Sequence, residues 1–66
     1  MTLARNIVRW RLAKGWTQAE MAEASGMSRA TVVAIESGTS NPRLNTLMDL
    51  ACALNVQFGE LVLYPE

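Results

Sequence analysis

Four sets of helix breakers fix how this chain can be divided: Gly15, Gly26, Gly38 followed by Pro42, and Asn55. Glycine and asparagine enter the left-handed backbone region that ends helices, and proline lacks the amide hydrogen needed to continue one. Between the breakers the apolar residues recur at helical spacing nearly throughout, so the chain reads as a string of short helices. No linker rich in Pro, Gly and Ser, no low-complexity tract and no internal repeat interrupts them. We therefore expect a single all-α domain over residues 1–66.

Leu3, Ile7 and Trp10 mark one face of a helix over about 2–14, with Gly15 just past its end. Thr17 and Glu20 have the spacing of a capping box, which starts a second helix at about Gln18 and carries it to Ser25. Ser28 is a good N-cap for a third helix over 29–37, with Val32 and Ile35 inward and Gly38 as its stop. Leu44, Leu47, Leu50, Ala51 and Leu54 form the stripe of a fourth helix ending at Asn55. After it, a short helix over 58–62 and an extended tail both fit: Gly59 weakens a helix, and Val62, Leu63 and Tyr64 have strand character.

Composition narrows the function. At 66 residues with 50% hydrophobic and 18% charged content, the chain is too apolar to stay disordered, yet its core is small enough that a partner or second copy would help it. The single cysteine excludes an internal disulfide framework. The lack of histidine removes zinc-ligand spacing and the usual proton shuttle, so we expect neither an enzyme nor a metal or cofactor. No apolar run approaches the roughly 18 residues of a membrane span, which leaves the cytoplasm as the expected compartment. Net charge is zero. Its distribution is uneven: Arg5, Arg9, Arg11, Lys14 and Arg29 face only Glu20 and Glu23 in the first half, while Arg43 faces Glu36, Asp49, Glu60 and Glu66 in the second. One end of the molecule can therefore present a positive face.

The second and third helices, joined by a turn centred on Gly26, meet the steric requirements of a helix-turn-helix over about 18–37. Ala22 is small where the helices approach, and Met21, Met27, Val32 and Ile35 supply the inner faces. The string runs from Arg11 through Gly15-Trp16-Thr17-Gln18-Ala19-Glu20-Met21-Ala22 and Gly26-Met27-Ser28-Arg29-Ala30-Thr31-Val32 to Ile35-Glu36-Ser37-Gly38. It continues in Asn41-Pro42, Leu44, Leu47, Leu50-Ala51, Leu54-Asn55-Val56 and Glu60-Leu61. In that register the chain, over roughly residues 3–62, resembles the Cro and phage-repressor type of helix-turn-helix domain, also called XRE-like.

The resemblance implies a five-helix, lambda-repressor-like DNA-binding domain whose second helix lies over the phosphate backbone and whose third enters the major groove. It implies phosphate contacts from Thr17 and Gln18, and groove-facing positions at Ser28, Arg29, Ala30, Thr31 and Ala34. Ser37 and Thr39 would touch the backbone beyond the helix. Arg29 is the side chain among these able to grip guanine in bidentate fashion, and the rest offer few hydrogen-bonding groups, so DNA shape would supply part of any preference. Arg11 and Glu36 stand where the family often pairs helix 1 with the end of helix 3, a structural ion pair.

Other residues read as scaffold. Trp10 and Trp16 sit where packing explains them better than base stacking, Cys52 has no basic neighbour in sequence to activate it, and the methionines fill space. Arg5, Arg9 and Lys14 are either solvated surface or long-range attraction for phosphate. Glu20 is accounted for by capping, and Glu23, Asp49 and Glu60 have no evident partner. An apolar surplus remains in Val8 and Leu12 on helix 1, Met48 and Cys52 on helix 4, and Phe58, Val62, Leu63 and Tyr64 at the end. It points to a twofold homodimer through Met48, Cys52, Phe58, Val62, Leu63 and Tyr64, with pairing of extended tails over 62–66 as one form. The other arrangement folds the tail back over helix 1 in a monomer. The function expected is sequence-selective binding of double-stranded DNA by a transcriptional regulator, most simply a repressor. The alternative is the same fold used as an antitoxin-like module for a protein partner, with weak DNA binding.

Overall fold

Local signals in the sequence account for most helix ends. The structure, a computed structural model, describes residues 2–62, and among them are five helices: α1 (Thr2–Ala13), α2 (Gln18–Ser25), α3 (Arg29–Glu36), α4 (Leu44–Leu54) and α5 (Phe58–Val62). α1 and α3 each stop one residue before the spacing indicates. The Lys14 amide is shared between the Trp10 and Arg11 carbonyls at 3.1 Å each, which tightens the last turn of α1. Ser37 caps α3: its backbone amide donates to the Val33 carbonyl at 2.9 Å, and the Gly38 amide donates to the Ile35 carbonyl at 3.1 Å.

The α2 capping box is complete: Glu20 N–H donates to Thr17 Oγ1 at 3.1 Å, and Thr17 N–H donates to Glu20 Oε1 at 2.8 Å. At its other end Gly26 sits at φ 72°, and the Met27 amide closes back on the Ala22 carbonyl at 3.0 Å. That left-handed geometry turns the chain sharply into Ser28, whose Oγ accepts from Thr31 N–H at 3.1 Å to open α3. Asn55, at φ 58°, ends α4 in the same left-handed way.

The apolar faces meet in one core of Ile7, Met21, Ala22, Val32, Ile35, Leu50, Ala51, Leu54 and Leu61, with Leu3, Trp10, Trp16, Met27, Leu47, Val56 and Val62 packed around it. α2 packs on α3 and α4, α1 on α3 and α5, and α4 on α5. The stripe expected on α4 begins later than its spacing indicates, because Leu44 is 60% exposed at the helix's first residue. Val8, expected on the outer side of α1, is half-buried, whereas Leu12 is exposed. Asn6 is buried, and its Nδ2 donates to the Leu61 carbonyl at 3.1 Å.

That bond resolves the alternatives at the chain end as far as residue 62. The residues from Phe58 to Val62 are helical, and α5 folds back on α1. Gln57 N–H donates to Glu60 Oε1 at 3.0 Å, half of a capping box that gives Glu60 a structural role. An extended course for Val62 is thereby corrected. Leu63, Tyr64 and the remainder of the expected tail lie outside the described residues.

Candidate nucleic-acid interface

The starts of α2 and α3 face one open concavity of about 540 Å³, lined by Arg11, Thr17, Gln18, Ala19 and Arg29. Gly26 makes this possible, since it turns the chain between two helices whose first residues then lie near one another. Arg29 is exposed and makes no ion pair among the described residues, so its guanidinium is available to an outside anion or base. Arg5, Arg9 and Lys14 are exposed but do not line the concavity. Lys14 Nζ instead lies 5.5 Å from the centre of the Trp16 ring.

Behind the concavity is a polar cluster centred on Glu36. Arg11 Nε donates to Glu36 Oε2 at 2.7 Å and Arg11 Nη2 to Oε1 at 3.2 Å, a bidentate pair. Arg11 Nη1 also donates to the Trp16 carbonyl at 2.8 Å. The side chains are 13% and 5% exposed respectively, so the ion pair anticipated between α1 and α3 is largely shielded from water.

Sequence reasoning missed the third member. Gln18 Nε2 donates to Glu36 Oε1 at 3.0 Å, tying the start of α2 to the end of α3. One amide hydrogen and the carbonyl oxygen of Gln18 remain for an outside partner. Thr17 Oγ1 accepts from Glu20 N–H and keeps its hydroxyl hydrogen to donate. The Gln18 and Ala19 amides, in the first turn of α2, have no intrahelical acceptor and add to the same donor-rich rim.

Ser28 and Ala30 are exposed on α3, and Thr31 and Ala34 are half-buried. Ser28 Oγ and Thr31 Oγ1 lie 2.9 Å apart, so one of the two hydroxyl hydrogens is held between them and the other is free. Ser37 and Thr39 are more committed than their sequence positions indicate. Both hydroxyls donate to the Ala34 carbonyl, at 3.0 and 3.3 Å, and they lie 2.9 Å from each other. A phosphate reaching either must draw a hydrogen away from the end of α3. Of the residues expected at a dimer contact, Met48, Cys52 and Phe58 are exposed on α4 and α5, and Val62 is half-buried against the core.

Two capped helices joined at Gly26, the second with an outward face and the first with a donor-rich start, define a helix-turn-helix unit. The family model described as helix-turn-helix matches residues 7–61, and the chain belongs to that family, in its XRE-like form. Among its relatives, the HTH-type transcriptional regulator SutR of Escherichia coli K12 is 34% identical over 64 residues, covering 97% of this chain and 36% of that protein. A hypothetical transcription factor of Neisseria meningitidis serogroup B is 38% identical over 64 residues, covering 97% of this chain and 60% of its own length. The crystal structure of the Neisseria factor superposes with a TM-score of 0.91 over 96% of this chain and 72% of that one. The restriction-modification controller protein C.AhdI of Aeromonas hydrophila superposes with a TM-score of 0.87 at 34% identity, over 89% of each chain. The chain thus spans about a third of the first relative's length and three fifths of the second's.

Proposed function

We propose that this chain binds double-stranded DNA as a sequence-selective transcriptional regulator, with α3 in the major groove and the start of α2 against a phosphate. The convergence of Arg29 with Thr17, Gln18 and the first amides of α2 on one open concavity carries the reading. Relatives described as transcriptional regulators and a restriction-modification controller support it. Thr17, Gln18, Ser37 and Thr39 serve as backbone contacts, the last two by releasing a hydrogen from Ala34. Ser28, Arg29, Ala30, Thr31 and Ala34 form or border the base-facing surface, with Arg29 on guanine. Repression is the proposed mode, because occupying a site requires only this surface. The reading is of a binding protein rather than an enzyme, acting in the cytoplasm where bacterial DNA lies.

A second copy completes the reading. The described residues extend 27 × 23 × 20 Å, whereas successive major-groove faces recur about every 34 Å. One domain therefore covers one half-site. We place the twofold contact at Met48, 53% exposed, Cys52 and Phe58, 37% exposed, with Val62 at its edge and Leu63 and Tyr64 as proposed contributors. A protein partner as the main target draws on exposed Leu12 and Leu44 instead. Titration of a DNA library at two salt concentrations separates the readings. DNA binding requires a clear loss of affinity with added salt, modest in slope given the few cations. Arg29→Ala should flatten preference among sequences, and Thr17→Ala should weaken binding to all of them. Salt-independent or undetectable binding would overturn the reading.

A further inference from the structure

The accessibility of α3 singles out a residue that the family resemblance does not place in the groove. Val32 and Ile35 are buried, Thr31 and Ala34 are half-buried, and Arg29, Ala30 and Val33 are exposed. Val33 is 39% exposed and stands at the middle of the outward face, one turn after Arg29. An isolated exposed valine is ordinary on a protein surface. This one shares its stripe with the exposed guanidinium proposed to read guanine, and it carries the largest apolar side chain on that stripe. Ala34 has a single methyl on a flank that turns partly inward, and its carbonyl is gathered in by Ser37 and Thr39.

The base edges of the major groove display one apolar group, the C5-methyl of thymine. We propose that Val33 reads DNA by packing its two methyls on a thymine C5-methyl, beyond the guanine held by Arg29; this rests on the DNA-binding reading above. Residues four apart on a helix are separated by about 6 Å along its axis. Base pairs rise about 3.4 Å, so the two contacts fall about two base-pair steps apart where α3 follows the groove. The occupant is thymine rather than cytosine because a branched hydrocarbon gains nothing from the cytosine amino group and desolvates it.

The test selects preferred sequences from random duplex DNA with the whole chain, then replaces each thymine of the selected site singly with deoxyuridine, which lacks only the methyl. At one thymine the replacement should weaken the unaltered protein about three- to fivefold, the value of roughly one buried methyl. Val33→Ala should lower affinity for the selected site by a similar factor and abolish the deoxyuridine effect there. Arg29→Ala should leave that effect in place. A circular dichroism melt of Val33→Ala close to that of the parent establishes that folding is intact, and Val33→Thr, which keeps shape and one methyl, should fall between. Full deoxyuridine sensitivity in Val33→Ala, or none at any thymine in the parent, overturns the Val33 assignment while leaving DNA binding standing. Absence of any salt-dependent DNA binding overturns both.

Discussion

The Glu36 carboxylate receives three hydrogen bonds while almost covered, two from Arg11 and one from Gln18. Removing Glu36 leaves the Arg11 guanidinium largely shielded from water with no counter-charge and only the Trp16 carbonyl as acceptor, so Glu36→Ala should cost about 3 kcal/mol in urea unfolding. The double variant Arg11→Met with Glu36→Leu should lose less than the sum of the single changes, since neither charge is then stranded. A Glu36→Ala cost below about 0.5 kcal/mol would make the contact an ordinary surface pair. Trp10 supplies an opposite case: its Nε1 is buried and has no partner among the described residues. Trp10→Phe removes that unsatisfied donor along with some packing, so the two effects offset and the melting temperature should move little. The Arg11–Glu36 pair was legible through the family resemblance. The roles of Gln18 and Asn6 were not, because a polar side chain in a short helix carries no mark of the distant carboxylate or carbonyl it will meet.

Helix boundaries were the most legible level, because caps act within a few residues of themselves. Thr17 with Glu20, Gly26, Ser28 and Asn55 all do what their side chains or backbone freedom dictate. The course of the chain after Val56 was not legible. Gly59 and the branched residues near it have weak helix preference, and α5 exists because Leu61 fills the core and its carbonyl takes the Asn6 bond. At this scale the turn between α2 and α3 gives a clean prediction. Among the described residues, no atom beyond Gly26 and its two chain neighbours lies within 4 Å of where a β-carbon on it would stand, so Gly26→Ala meets only the penalty of its positive φ. That penalty is about 1–2 kcal/mol. Thermal melting should fall by roughly 4–8 °C per kcal/mol for a domain of this size. An unchanged melting temperature would show that the turn relaxes into another geometry.

For the whole molecule, the apolar surplus on α4 was visible from Met48 and Cys52, one turn apart, while the exposure of Leu44 was hidden by its fit to the inward stripe. The proposed homodimer makes stability a function of concentration. The melting temperature should rise over a hundredfold increase in protein, and sedimentation should move from a 7.3 kDa species toward twice that mass. Sedimentation of a single monomer at the highest concentration would remove the dimer.

The anchoring of α3 through Glu36 has an evolutionary corollary. What holds this helix in place lies on its inner side and at its final residue, while Arg29, Ala30 and Val33 project from the opposite side. On the proposed DNA-binding reading, exchanging those three together should redirect the protein to other sequences with little change in melting temperature. A lineage built this way can change its targets by a few point substitutions without having to reinvent its scaffold.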